Sequence, residues 1–149
     1  MRAVIQRVKN SSVSIDGVKT AQIQKGLNVL LGISTEDTAE DCRYLARKIT
    51  ELRIFEDDHG KMNLSLLDTG GQMLIISQFT LYGDCRKGRR PSFVGAAHPE
   101  TAVPLYEEFI KTVGALGVKE VQTGQFGADM KVEILNDGPV TLIIDSKNR

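Results

Sequence analysis

Two short segments carry the groups from which this chain can build a reaction centre. The first is Ser77-Gln78-Phe79-Thr80-Leu81, which follows the apolar run at residues 73–76. Buried hydroxyls and amides must find partners, so a core strand that turns polar at its end marks a site. Strand alternation would put Gln78 and Thr80 on one face with Leu74 and Ile76, and Ser77 with Phe79 on the other. Thr80 is a candidate nucleophile, but no general base accompanies it. Backbone N–H groups at the strand end offer a second role, the stabilisation of an oxyanion.

The second segment is Asn136-Asp137-Gly138-Pro139-Val140-Thr141, between strand-like runs at residues 130–135 and 140–144. Asp137-Gly138 reads as a hairpin turn pair. Pro139 is out of place in an ordinary hairpin, because it donates no ladder hydrogen bond. A Gly-Pro step leaves two carbonyls on a stiff backbone with little side chain around them. That suits close approach to a ligand or another chain. A tight turn at a strand start is the plainer reading of these residues taken alone.

Other candidates are weaker. The run Arg86-Lys87-Gly88-Arg89-Arg90 holds four positive charges in five residues. It is either a solvated loop or a phosphate contact. Its charges would favour a thiolate at Cys85, and Cys85 with His98 would make a nucleophile and base if the fold joined them. His59 reads as a loop residue in an acidic turn, and His98 as part of a helix start. Two histidines without clustered acids or cysteines argue against a metal site. Neither a Gly-x-Gly-x-x-Gly nor a P-loop pattern is present, so no nucleotide cofactor is expected.

The elements that must position these groups follow from periodicity. With 149 residues, a single domain over 1–149 is expected. The 19 basic and 19 acidic residues balance, which argues against a non-specific polyanion binder but leaves room for a local basic patch. The chain opens directly as a strand, without a signal-like or membrane-length apolar run. Cys42 and Cys85 form no disulfide or metal spacing, so a cytoplasmic, reducing setting and no membrane are expected. Alternation predicts a meander over residues 2–34, with turns at Asp16-Gly17 and Lys25-Gly26. A helix over about 39–52 follows from Ala39, Cys42, Leu45, Ala46, Ile49 and Leu52, with an Asp37/Glu40 capping box. A short strand is expected at 53–55 and a strong one over 73–81. A second helix covers about 100–116, starting late or kinking at Pro104. Strands end the chain in a Gly-Pro hairpin. This order predicts an α+β fold: largely antiparallel sheet forming a barrel-like core with two main helices.

The two leading segments stand in a longer series. It comprises Met1-Arg2-Ala3-Val4-Ile5-Gln6-Arg7-Val8, Gly60-Lys61-Met62-Asn63, Ser77-Gln78-Phe79-Thr80-Leu81, Arg90-Pro91-Ser92-Phe93, Gly127-Ala128-Asp129-Met130 and the Asn136 to Thr141 hexapeptide. In this order the series resembles the D-aminoacyl-tRNA deacylases over essentially the whole chain. The resemblance implies a cytosolic homodimer that removes D-amino acids wrongly attached to tRNA, with no metal or organic cofactor. It implies that Ser77, Gln78, Phe79 and Thr80 line the site around the scissile ester. It further implies that Gly138-Pro139 has a cis peptide bond and enters the partner subunit's site, giving chiral selectivity. Arg7 would hold that loop, Met130 would lie near the 3′-terminal adenosine, and Asn136 and Thr141 would support the motif. With tRNA, including its acceptor end, as the partner, the phosphate-contact reading of Arg86, Lys87, Arg89 and Arg90 that follows from their clustered charge becomes a contact with tRNA phosphates.

The residue chemistry agrees in one respect. An aminoacyl ester is already activated, and its neighbouring ribose 2′-hydroxyl can assist hydrolysis. The protein then needs mainly to position the ester and stabilise developing charge. Two other classes remain open at this stage: a Cys85-dependent hydrolase, and a non-catalytic nucleic-acid-binding module built on the basic run.

Overall fold

The computed structural model describes residues 1–149. Its strands are β1 (Arg2–Ile15), β2 (Val18–Ile23), β3 (Gly26–Gly32), β4 (Phe55–Glu56), β5 (Met62–Leu64), β6 (Gln72–Ser77), β7 (Val121–Thr123) and β8 (Met130–Asp145). The helices are α1 (Ala39–Glu51), α2 (Leu66–Thr69) and α3 (Pro99–Ala115), with a 3-10 turn at Phe79–Tyr82.

The main sheet runs β2-β1-β3-β6-β7, with β8 also paired to β1. It curls into a nearly closed barrel, because the long β1 gives its first half to β3, its second half to β2, and its length to β8. The α+β class is as expected, but the sheet is mixed: β6 runs parallel to β3, and β7 parallel to β6. Each parallel step needs a crossover. The segment carrying α1 makes the first and α3 makes the second.

The two helices cover one face of the sheet. Leu45, Ile49, Phe109 and Val113 are fully buried there with Ile5, Val29, Met73 and Ile75. Each such side chain contributes about 1.5–3 kcal/mol through removal from water. A smaller cluster forms on the other face, from Val8, Val13, Ile23, Leu74 and Ile76, with Met130 and Val132 packed beside it. β3 and β6 are therefore buried on both faces, which explains their nearly unbroken apolar runs.

Several local expectations change. The opening strands are not a simple meander, since β3 crosses to pair with β1 rather than β2. α1 is capped one residue later than expected. Thr38 N and Oγ1 donate to Asp41 Oδ2 at 2.9 and 3.0 Å. Asp37 is taken up elsewhere, accepting Ser34 N at 2.7 Å and the Met1 amine. The short strand sits at Phe55–Glu56 rather than 53–55, and α2 is a single helical turn too short to show a periodicity; Ser65 caps it by accepting from Asp68 N at 3.1 Å. α3 starts at Pro99 and runs through Pro104, so there is no late start.

The largest change concerns the C-terminal strand. β8 is not a hairpin. Its two halves both pair antiparallel with β1, from Arg2 opposite Asp145 to Ile15 opposite Met130. A hairpin pairs a strand with its own neighbour, whereas here the 14-residue β1 is long enough to pair both halves. The Asp-Gly pair therefore lies in an excursion from one strand.

Candidate active site

β6 ends at Ser77. Its last ladder bond is Gln78 N to Leu31 O, at 2.8 Å. Beyond it the chain tightens: Leu81 N donates to Gln78 O at 3.2 Å and Gly83 N to Thr80 O at 2.9 Å. Gly32 makes room for this turn, because a Cβ there would stand 3.0 Å from both Gln78 O and Leu81 Cβ. The expected alternation through residue 81 is thus broken. Ser77, Gln78 and Phe79 all line one cavity, whereas an extended strand would have divided them between faces.

That cavity has a volume of about 260 Å³. Leu31 and Ile33 form one wall, Ala97 and Ala102 at the start of α3 another, and Phe126 to Met130 a third. Tyr106 holds the third wall. Its hydroxyl donates to Ile75 O at 2.8 Å and its ring lies 6.0 Å from that of Phe126. Burial pushes the Tyr106 hydroxyl well above its ordinary range, so it remains a neutral donor. Met130 packs its sulfur over Gly124 and beside Ile76, in space that any side chain at 124 would enter.

Thr80 is exposed beside the cavity, and its Oγ1 accepts from Gln78 Nε2 at 2.5 Å. Asp129 is the one titratable side chain among the lining residues, and it faces solvent and pairs with Lys131 at 2.7 Å. No histidine, lysine or cysteine lines the wall. The opening N–H groups of a helical turn have no intrahelical acceptor. Those of Phe79 and Thr80 open this turn at the cavity edge.

Gly138 and Pro139 do not line this cavity. Thr141 pairs with Gln6 and Asn136 with Val8, so residues 137–140 leave the sheet opposite Arg7. The Asn136 side chain closes the neck. Its Nδ2 donates to Arg7 O (3.0 Å) and Val140 O (3.3 Å), while Oδ1 accepts from Gln6 Nε2 (2.9 Å) and Thr141 Oγ1 (3.1 Å). Arg7 is buried below. Its Nη1 donates to Ile54 O at 2.6 Å and its Nε lies 3.2 Å from Asp137 Oδ2. At the tip Gly138 and Pro139 are exposed, and the bond between them is cis. Nothing lies within 4 Å of the position a Gly138 Cβ would take.

One chain therefore gathers the residues expected at the site into two groups. Ser77, Gln78, Phe79, Thr80 and Met130 meet at the cavity; Arg7, Asn136, Thr141, Gly138 and Pro139 meet at the excursion. Gln6 and Asp137 belong to the second group and were not singled out from sequence. Their signal lies in pairing register, which a single sequence does not display.

The basic run forms an exposed loop whose base is an Asp84–Ser92 pair, with bonds of 2.7 and 3.0 Å. Arg86 is engaged with Asp84 at 2.7 Å and holds that carboxyl well below its usual range. Lys87, Arg89 and Arg90 form no ion pair. Cys85 is exposed in this loop and His98 stands at the N-cap position of α3 without a side-chain capping bond, and no hydrogen bond joins the two. Cys42 is buried, and burial followed by the Glu108 charge pushes its thiol up to about 11.

The whole chain has close counterparts. The family model for D-Tyr-tRNA(Tyr) deacylase matches residues 4–145. The D-aminoacyl-tRNA deacylase of Desulfatibacillum aliphaticivorans is 63% identical over 147 residues, covering 99% of this chain and 100% of that protein. That of Thermosipho africanus is 59% identical, covering 99% and 98%. Among solved structures, the c-Myc DNA unwinding element binding protein superposes with a TM-score of 0.92 at 41% identity, covering 97% of this chain and 98% of that one. By the family match and by full-length identity, the chain belongs to the D-Tyr-tRNA(Tyr) deacylase family.

Proposed function

We propose that this protein hydrolyses the ester of D-aminoacyl-tRNA, releasing the free D-amino acid and tRNA. The observation that carries the reading is the make-up of the cavity. It is bounded by the Ser77 to Phe79 strand end and the opening amides of the Phe79–Tyr82 turn, and the one titratable side chain in its wall, Asp129, faces solvent and is paired with Lys131. Such a site suits an ester that needs orientation and oxyanion stabilisation more than proton abstraction. The amides of Phe79 and Thr80 receive the developing negative charge. The ribose 2′-hydroxyl of the terminal adenosine, lying near Met130, assists water attack. Ser77, Gln78 and Thr80 orient the substrate, and Gln78 holds the Thr80 hydroxyl.

The working unit in this reading is a homodimer in the cytoplasm. The exposed Gly138-Pro139 tip lies outside its own chain's cavity and enters the partner's. Its carbonyls hold the substrate amino group and occupy the space an L side chain needs. Selectivity then comes from excluding one hand, not from recognising any one D side chain. Glycyl-tRNA, having no side chain to clash, is cleaved as well.

The test compares matched D- and L-tyrosyl-tRNA with the purified protein. Rapid loss of the D ester with survival of the L ester is expected; equal rates would sink the reading. Thr80→Ala retains measurable turnover and tRNA ending in 2′-deoxyadenosine reacts poorly, whereas a Thr80 nucleophile predicts the reverse. Cys85→Ser remains active. Sedimentation gives a dimer at assay concentration, and a fully active monomer would overturn the cross-subunit arrangement.

A further inference from the structure

A second cationic surface lies away from the basic loop. α1 presents Arg43, Arg47 and Lys48, all exposed, along a groove they share with Tyr44 and Arg149. Residues four apart on a helix are surface neighbours, and like charges there are mildly destabilising. Arg43 and Arg47 form such a pair. Glu40 and Glu51 also line the groove, but Glu40 is taken by Arg149 at 3.1 Å. Arg149 also lies over the Tyr44 ring, 4.6 Å from its centre, which fixes the groove floor. Arg43, Arg47 and Lys48 have no ion-pair partner, in a chain whose formal charge is zero. Lys48 lies in the last turn, where a cation suits the helix dipole, but the adjacent Arg43 and Arg47 gain nothing for the helix from their mutual repulsion.

This groove connects with the active site through shared residues. Tyr44, Lys48 and Arg149 also line the next depression, which reaches Arg2 and Leu81. Arg2 then lines a further one with Tyr82 and Arg86, and Arg86 continues into the last with Lys87 and Arg90. Of the acids along the way, Asp145 is paired with Arg2 at 2.9 Å and Asp84 with Arg86 at 2.7 Å, which leaves Glu51 as the one unpaired carboxylate against three unpaired cations on α1. The result is a continuous surface path whose middle is charge-balanced by the Arg2–Asp145 and Arg86–Asp84 pairs, with unpaired cations at its α1 end (Arg43, Arg47, Lys48) and at its loop end (Lys87, Arg90). It passes under the Phe79–Tyr82 turn, whose other end borders the reaction cavity. Arg43 to Lys48 spans about 7.5 Å of helix axis, and their long side chains extend that reach to two or three neighbouring phosphates of one strand.

We infer that Arg43, Arg47 and Lys48 on α1 bind the phosphate backbone of the same tRNA whose 3′ end occupies the cavity, at a distance from the scissile ester. The inference rests on the deacylase reading for its ligand. It makes the body of the tRNA, and not only its terminal nucleotides, part of what the protein recognises. No base is read, because unpaired exposed cations contact phosphate without regard to sequence.

The test is the triple variant Arg43→Gln/Arg47→Gln/Lys48→Gln in the full chain. Binding of uncharged tRNA is followed by anisotropy across a salt series. The expected result is weaker binding, with the slope of log K against log salt reduced by roughly 2–3. The ratio of kcat/KM for D-tyrosyl-tRNA to that for a D-tyrosyl CCA trinucleotide falls about tenfold. The Arg→Lys double variant at 43 and 47, which keeps both charges, retains the wild-type slope. An unchanged slope in the triple variant overturns the inference, as does an equal loss on both substrates. Absence of turnover by the wild type on either ester would count against the deacylase reading instead, and the salt series would still decide the track.

Discussion

Arg7 Nε lies 3.2 Å from Asp137 Oδ2, at the point where β8 leaves β1. The Arg7 side chain is 6% exposed and that of Asp137 31%, so the contact ties a buried cation to the stem of an exposed loop. The Nε is not aligned as a hydrogen-bond donor, so the attachment is one of charge. A buried cation left without its counter-charge is costly, but here the acid is partly solvated and the loss is moderated. Asp137→Asn should therefore cost about 1–3 kcal/mol in urea unfolding. It should also raise hydrolysis of L-tyrosyl-tRNA relative to the D ester. Unchanged stability and unchanged selectivity together would mean that Arg7 does not hold the excursion.

Asn136 and Thr141 should contribute unequally to the same neck. Asn136 makes four hydrogen bonds and Thr141 Oγ1 makes two. Asn136→Ala leaves the carbonyls of Arg7 and Val140 without that donor, at a cost of about 2–3 kcal/mol. Thr141→Val keeps the shape at an exposed position and should cost no more than about 1 kcal/mol. Hydrogen exchange checks the ranking, with faster exchange at the Val140 amide in Asn136→Ala than in Thr141→Val. Equal exchange in the two variants would contradict the clamp.

What sequence could reveal here depended on how local each feature is. The α1 and α3 stripes are set by a 3.6-residue period and read correctly from Leu45, Ile49, Phe109 and Val113. The polar end of β6 was also visible, because Ser77, Gln78 and Thr80 interrupt an apolar run. The Asp-Gly pair misled. It has hairpin chemistry, but the partner of both flanking strands is β1, more than a hundred residues earlier. Pro139 was the one local sign against a hairpin. The turn after Ser77 was hidden for a similar reason: the space it needs is supplied by Gly32 on the neighbouring β3, not by its own residues. Parallel pairing of β3, β6 and β7 likewise follows from the crossovers and not from any strand's composition.

Acid sensitivity should centre on Asp41. Burial pushes its pKa up, but hydrogen bonds from Lys147, Ser146 and Thr38 outweigh burial and hold it well below the ordinary carboxylate range. A depressed native pKa means that the unfolded chain binds the proton first, near pH 4. The associated stability is thus fully present above about pH 4 and is lost as pH falls towards the native value. Asp41→Asn should be less stable than wild type at pH 7 and should lose stability less steeply between about pH 4 and 2. Asp145, together with Asp57, Asp68 and Asp84, is also held low and leaves a residual slope in the variant. Urea midpoints across this range measure it; parallel curves for the two proteins would remove Asp41 as the acid-sensitive group.

Met130 offers a way to separate cavity shape from stability. Its sulfur occupies the space above Gly124, and its Cε lies 3.6 Å from where a Cβ on that glycine would be. The Ile76 side chain closes the same pocket at 3.2 Å. A methyl group at 124 therefore has to displace one of the two. Ile76 is 1% exposed within the smaller core cluster and has no free space to enter. Met130 is unbranched, adaptable and half-buried, so it is the side chain that yields. A shift away from Gly124 moves it towards the cavity it lines, whose volume of about 260 Å³ leaves limited room. Gly124→Ala should thus cost no more than about 1–2 kcal/mol of stability, while KM for D-tyrosyl-tRNA rises at least tenfold and kcat changes little. Met130→Ala placed on Gly124→Ala removes the intruding side chain and should recover most of the lost affinity. A double variant no better than Gly124→Ala alone would show that the glycine acts through the backbone at 124 and not through the position of Met130.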